Sequence, residues 1–179
     1  MLLYHGSNVG VKNPIIIKSK RALDFGDGFY LTTDLEQAKK WALLVTRRRN
    51  CGIPTVSVFE YNEGNDLNIL KFKSPDKEWL KYVTNNRQKL INDDANNDII
   101  IGPVANDNTM PVISLYLSGI LDEEETLKRL LPQKLKDQFV FKTSFSLKKL
   151  EFKEMKTYED ERYYEWCIKA LWCGDSKTY

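Results

Sequence analysis

Histidine is almost missing from this 179-residue chain, which has one, His5. The three cysteines, Cys51, Cys167 and Cys173, are odd in number and lack the paired spacing of a zinc site, so they read as reduced thiols and no metal centre is expected. No apolar run approaches the length of a membrane span. The start, Leu2-Leu3 running at once into Tyr4-His5-Gly6, has no basic segment followed by a long apolar one. A cytoplasmic, soluble protein is expected, with no membrane partner. Net charge is small as well: 27 Lys and Arg against 25 Asp and Glu leave +2, which exerts no global pull toward nucleic acid or lipid. Repeats and low-complexity segments are absent, and the 12% aromatic content with four tryptophans argues against disorder. The length suffices for one domain with a buried core, but not for two ordinary ones.

What is present is concentrated near the start. Residues 1–58 carry nine Lys/Arg against four Asp/Glu, a surplus of +5, while the remainder holds 18 against 21. That asymmetry suits a phosphate-bearing ligand, RNA or a solvated helix end alike. In the same region Leu3-Tyr4-His5-Gly6-Ser7 reads as a first strand whose glycine permits close approach of a ligand to the backbone and whose serine offers a hydrogen bond. Downstream, Asp24-Phe25-Gly26-Asp27-Gly28-Phe29-Tyr30-Leu31 gives a flexible bend, with Gly28 at its exit, and then an aromatic strand carrying Tyr30. A helix follows, with Asp34 as N-cap, Leu35, Ala38, Ala42 and Val45 at helical spacing, and Trp41 among them. These pieces form three walls of one pocket suited to a flat ligand. Taken alone, His5 is more often structural and a Gly-x-Gly says little; the combination carries the weight.

His-Gly-Ser, then Gly-x-Gly-Phe-Tyr some twenty residues on, then an aromatic eleven positions past the tyrosine, resembles the NAD-binding core of the ADP-ribosyltransferases of the diphtheria-toxin and poly(ADP-ribose) polymerase type. The string Ile101-Gly102-Pro103-Val104-Ala105-Asn106-Asp107 is similar to a small bacterial branch of that superfamily. The resemblance implies an α+β fold with two small antiparallel sheets forming an NAD cleft flanked by helices. It implies that His5 bonds the adenosine ribose, that the Gly6 backbone holds the nicotinamide amide, that Ser7 buttresses the first strand, and that Tyr30 and Trp41 sandwich the nicotinamide ring. Where many members place a serine three residues before the second aromatic, this chain has Ala38, and where they place a catalytic glutamate at the start of a late strand, it has Gln138. Glu60 and Glu151 are alternative carboxylates. The implied catalytic set is His5, Tyr30 and Gln138, the cofactor-binding set is His5, Gly6, Ser7, Gly28, Tyr30 and Trp41, and NAD is the substrate, with no metal. The activity implied is mono-ADP-ribosyl transfer to a protein or nucleic-acid target by a toxin or anti-phage effector held in check by a neutralising antitoxin or regulatory partner. A catalytically weak NAD-binding module and an NAD glycohydrolase are the alternatives.

The rest of the chain reads as supporting structure. Strands are expected at Ile15-Ile16-Ile17, at Thr55 to Tyr61 and Leu67 to Phe72 as a hairpin, at Asp98 to Val104, at Gln138 to Thr143 and at Glu151 to Met155. One helix is expected after Ser74-Pro75 with Trp79, Tyr82, Val83 and Leu90 buried, and another, acidic at its start and basic at its end, over Leu121 to Leu131. Arg47-Arg48-Arg49 falls in the last turn of the first helix, where the dipole favours cations. Asp107 either caps the next helix with Asn108 or lies at the pocket rim. The domain is expected to span 1–155, with an aromatic helical extension over 156–179 in which Tyr163, Trp166 and Ala170 share one face.

Overall fold

The fold is described from a computed structural model covering residues 1–18, 22–90, 96–105, 108–133 and 135–158. Asp107, Cys167, Cys173 and the face formed by Tyr163, Trp166 and Ala170 lie outside the described residues, as does most of the expected extension.

Among the described residues, seven strands and five helices are interspersed in a mixed α+β arrangement. Strands β1 (Leu2–Ser7), β3 (Thr55–Tyr61) and β7 (Leu150–Thr157) form one sheet in the order β1-β3-β7, antiparallel throughout. Strands β2 (Phe29–Leu31), β4 (Ile69–Lys71), β5 (Ile99–Pro103) and β6 (Asp137–Phe141) form the other, in the order β2-β6-β5-β4. Two small sheets were expected, but the second is not wholly antiparallel, because β4 and β5 run parallel. Between them α2 (Lys77–Arg87) provides the crossover that a parallel pair requires. For the same reason the hairpin expected from β3 and β4 does not exist: the two strands belong to different sheets.

The sheets face one another across a core of Leu3, Phe29, Phe59, Tyr61, Ile99, Phe139 and Phe141. On its opposite face the four-stranded sheet carries Val140 and Ile100, against which Phe25, Trp79, Leu80, Val83, Ile113 and Leu130 pack. Trp79 is fully buried as core, and its indole N–H donates to the Pro103 carbonyl at 2.9 Å. The helices α3 (Met110–Leu117) and α4 (Glu123–Leu130) close this side, and α4 follows the expected charge pattern from an Asp122 cap. The short α5 (Ser144–Leu147) leads into β7, which runs to Thr157, two residues past the expected end of the domain.

Local corrections have local causes. Ile15 to Ile17 form no strand: Pro14 precedes the run, and Ile15 and Ile17 stay exposed beside Lys18. The cap of α2 is Asp76 rather than Ser74, its carboxylate accepting from the Trp79 N–H at 3.0 Å, an ionised acceptor that outcompetes a hydroxyl at a helix N-terminus. Leu90 lies past the end of that helix and is exposed. The third-motif residue Gln138 is the second position of β6, since Asp137 already pairs with Pro103.

Candidate functional site

Helix α1 (Leu35–Arg49) begins as its sequence requires, with Asp34 accepting from the Gln37 N–H at 2.8 Å, and buries Ala38, Ala42 and Val45. Its small residues are placed against β1. A Cβ added to Gly6 would lie 2.0 Å from the Ala38 carbonyl oxygen and 3.0 Å from the Ala42 nitrogen, so glycine is demanded here by helix packing, whatever a ligand also requires.

The other side of Gly6 is set by strand alternation. Tyr4 donates to the Thr32 carbonyl at 2.8 Å and accepts from the Thr32 N–H at 3.0 Å, an antiparallel bridge that joins β1 to the end of β2. Backbone groups in such a pair alternate in direction, so Gly6, two residues on, turns its N–H and C=O toward β2 as Tyr4 does. Continuing that register would set Gly6 opposite Tyr30. The ladder stops instead, because the Tyr30 carbonyl is taken by the His5 imidazole, whose Nδ1–H donates to it at 2.8 Å. The bridge between β1 and β2 is thus confined to Tyr4 and Thr32, and by strand alternation the Gly6 N–H and C=O are directed to the β2 side.

His5 itself points to the inter-sheet core, stacked on Phe29 with ring centroids 4.4 Å apart. Burial lowers its pKa below the usual 6.5, an effect partly offset by the bond to Tyr30, so the ring is neutral with Nε2 as its acceptor. Ser7 is buried in register with Thr55 and completes β1.

Tyr30 pairs with Val140 and therefore shares a face with Gln138, two residues along β6. Its hydroxyl donates to the Gly26 carbonyl at 2.6 Å and accepts from the Phe25 N–H at 3.3 Å, which closes the Gly loop on the ring. Burial, with the Asp24 charge next in weight, pushes the phenol well above its ordinary pKa and keeps it a donor. Gly28 sits over β6, where a Cβ would meet Val140 Cγ1 at 2.4 Å. Trp41 stands on α1 one turn past Ala38, 46% exposed, with the Arg48 guanidinium 5.5 Å over its ring.

Gln138 is 6% exposed, and its Nε2 points to Asp24 Oδ2 at 3.5 Å. Asp24, 7% exposed, also accepts from the Ala105 N–H at 3.0 Å and from Arg87, through Nε at 2.9 Å and through Nη2. Burial raises the Asp24 pKa while Arg87 opposes the rise. The loop is further held by Asn86, donating to the Asp24 carbonyl at 3.0 Å, and by Lys142, donating to the Phe25 carbonyl at 2.9 Å. One residue before Gln138, the Asp137 carboxylate accepts from Thr32 Oγ1 at 3.1 Å, the Thr33 N–H at 3.0 Å and Thr33 Oγ1 at 2.6 Å, which ties the start of β6 to the end of β2.

The fold thus brings Tyr30, Gly28 and Gln138 together on the outer face of the four-stranded sheet beside Val140, whereas the His5 ring lies in the inter-sheet core, Gly6 packs on α1, Ser7 ends β1 opposite Thr55 and Trp41 stands half-exposed on α1. The alternative carboxylates are elsewhere: Glu60 pairs with Lys153 at 2.6 Å and Glu151 with the same lysine at 2.9 Å, on the surface of the three-stranded sheet. Sequence reasoning overlooked Arg87 and the role of Asp24. The aspartate opens the glycine motif, but nothing local reveals its partner 63 residues away. Among the described residues no group of three or more His, Cys, Asp or Glu is placed to hold a metal, and no helix is long and apolar enough to cross a membrane.

No curated protein and no solved structure matches the chain. A family model does, over residues 1–152, from the first strand to the start of the last, and the chain therefore belongs to the family described as Protein of unknown function (DUF3990).

Proposed function

We propose that the protein is a mono-ADP-ribosyltransferase that takes NAD as substrate and modifies a macromolecular target. The observation that carries this reading is that pairing between β1 and β2 is confined to Tyr4 and Thr32, with the Tyr30 carbonyl taken by His5, so that strand alternation directs one backbone donor and one acceptor of Gly6 toward β2 without a ladder partner there. A primary carboxamide offers the complementary acceptor and donor, so it can pair with Gly6 as a neighbouring strand would.

In this reading Gly6 orients the nicotinamide amide, and the Tyr30 ring, with its hydroxyl already bound to the loop, offers a face for the flat heterocycle. Trp41 supplies the second face from α1. His5 acts as a neutral acceptor for a ribose hydroxyl. Gln138 presents an amide to the other ribose. NAD supplies the glycosidic bond whose cleavage releases nicotinamide, and the protein's part is orientation and exclusion of water. Acceptors on protein and nucleic acid both fit the basic first third of the chain, as does a toxin or anti-phage effector in the cytoplasm held by a neutralising partner.

A second reading, an NAD-binding module of weak activity, is favoured by one feature: Gln138 supplies no negative charge to a developing cation. Incubation with NAD labelled in the adenylate, alone and with cell lysate, separates them. Label entering protein or nucleic acid supports transfer, free ADP-ribose supports the glycohydrolase, and calorimetric binding without turnover supports the module. Absence of binding by folded protein to both NAD and nicotinamide rejects the site assignment altogether.

A further inference from the structure

The buried carboxylate behind Gln138 has no part in the reading above, yet its geometry decides what that residue offers a ligand. Four N–H donors converge on the two oxygens of Asp24: Arg87 Nε and Nη2 on Oδ1, and the Ala105 N–H and Gln138 Nε2 on Oδ2. A carboxylate so surrounded is an acceptor only. An amide beside it must turn its nitrogen inward, which leaves its oxygen on the other side.

We infer that Asp24 is a positioning residue which locks the Gln138 side chain with Nε2 inward and Oε1 outward, so that the site presents an acceptor and selects a ligand hydroxyl, a sugar diol, over an anionic group. The inference deepens the NAD reading and rests on it for the identity of the sugar. It also accounts for glutamine at this position. A glutamate would set a second carboxylate about 3.5 Å from Asp24, where like charges do not both ionise. Charge missing from Gln138 is therefore not restorable by a simple exchange to glutamate.

Two variants test this. In Asp24→Asn the inward acceptor is weakened and the amide of Gln138 gains a second orientation. Affinity for NAD should fall about tenfold while that for nicotinamide, which has no ribose, stays within about twofold by calorimetry. Equal loss for both ligands, or loss for neither, overturns the positioning role. The second variant, Gln138→Glu, is read without any ligand. The ionisable and charged groups that face it are Asp24 from the loop, Arg87 from α2 and Tyr30 from β2. Its melting temperature should lie below the parent by roughly 5 °C at about pH 8, and the deficit should shrink toward about pH 5 as one carboxyl of the pair takes up a proton and becomes a donor. A deficit that is absent, or that does not change with pH, shows that Asp24 does not face residue 138 and overturns the inference. If the parent protein binds no NAD, the pH-dependent melting still decides the orientation, and the failure belongs to the proposed ligand.

Discussion

The exchange Gly6→Ala places a methyl group 2.0 Å from the Ala38 carbonyl oxygen, where nonbonded heavy atoms ordinarily stay about 3.5 Å apart. Relief requires α1 and β1 to separate by roughly 1.5 Å along a contact between two rigid elements, and the obstructing atoms are main chain, so no rotamer change provides it. Overpacking of this kind costs about 1–3 kcal/mol, and the main-chain contact puts the cost at the upper end. For a protein of this size each kcal/mol lowers the melting temperature by roughly 2–4 °C, which predicts a fall of about 6–12 °C in thermal unfolding followed by far-UV circular dichroism without ligand. Gly10 is the internal control. A Cβ there meets the sulfur of the exposed Met155 side chain at 2.6 Å, and a flexible thioether swings aside. Gly10→Ala should thus melt well above Gly6→Ala, and adding Ala38→Gly to the latter should restore nothing. A Gly6→Ala protein that melts with the parent would refute the close approach of helix and strand, and with it the claim that packing alone demands glycine.

Three other outcomes are expected. Arg87→Ala leaves the buried Asp24 without its counter-ion and should destabilise by about 3–5 kcal/mol in urea unfolding, against less than about 1 kcal/mol for removal of the surface partner in Lys128→Ala. Trp41→Ala, at a half-exposed position, should change stability by less than about 0.5 kcal/mol yet reduce nicotinamide affinity by about 0.5–1.5 kcal/mol in calorimetry; unchanged affinity removes Trp41 from the site. Because burial lowers the pKa of His5 in the folded state, the unfolded chain takes up that proton first as pH falls. The contribution is complete above the usual 6.5 and is lost below it, so the parent should lose more urea resistance than His5→Gln between about pH 7.5 and about pH 5; equal losses contradict a neutral buried ring.

Much of the architecture was legible because its causes are local. The Asp34 cap and the spacing of Ala38, Ala42 and Val45 mark α1, Asp122 with three following glutamates marks α4, and the Ile99-Ile100-Ile101 run stopped at Gly102-Pro103 marks a strand buried on both faces. The residues of the candidate site stood out for a related reason: a single histidine beside Gly-Ser and an aromatic strand after two glycines are patterns written within a few positions. Partnership between distant segments was not legible. β-branched and aromatic composition identified β3 and β4 as strands but carried no information on which sheet each would join, and only the crossover through α2 made β4 parallel to β5. Ile15 to Ile17 had the composition of a strand, yet Ile15 and Ile17 stay exposed and join neither sheet. Likewise, the bond from His5 to the Tyr30 carbonyl spans 25 residues, and the contact of Asp24 with Gln138 spans 114. Propensity acts through neighbouring residues, whereas these bonds exist because buried polar groups must find partners in whatever the packed sheets and helices bring beside them.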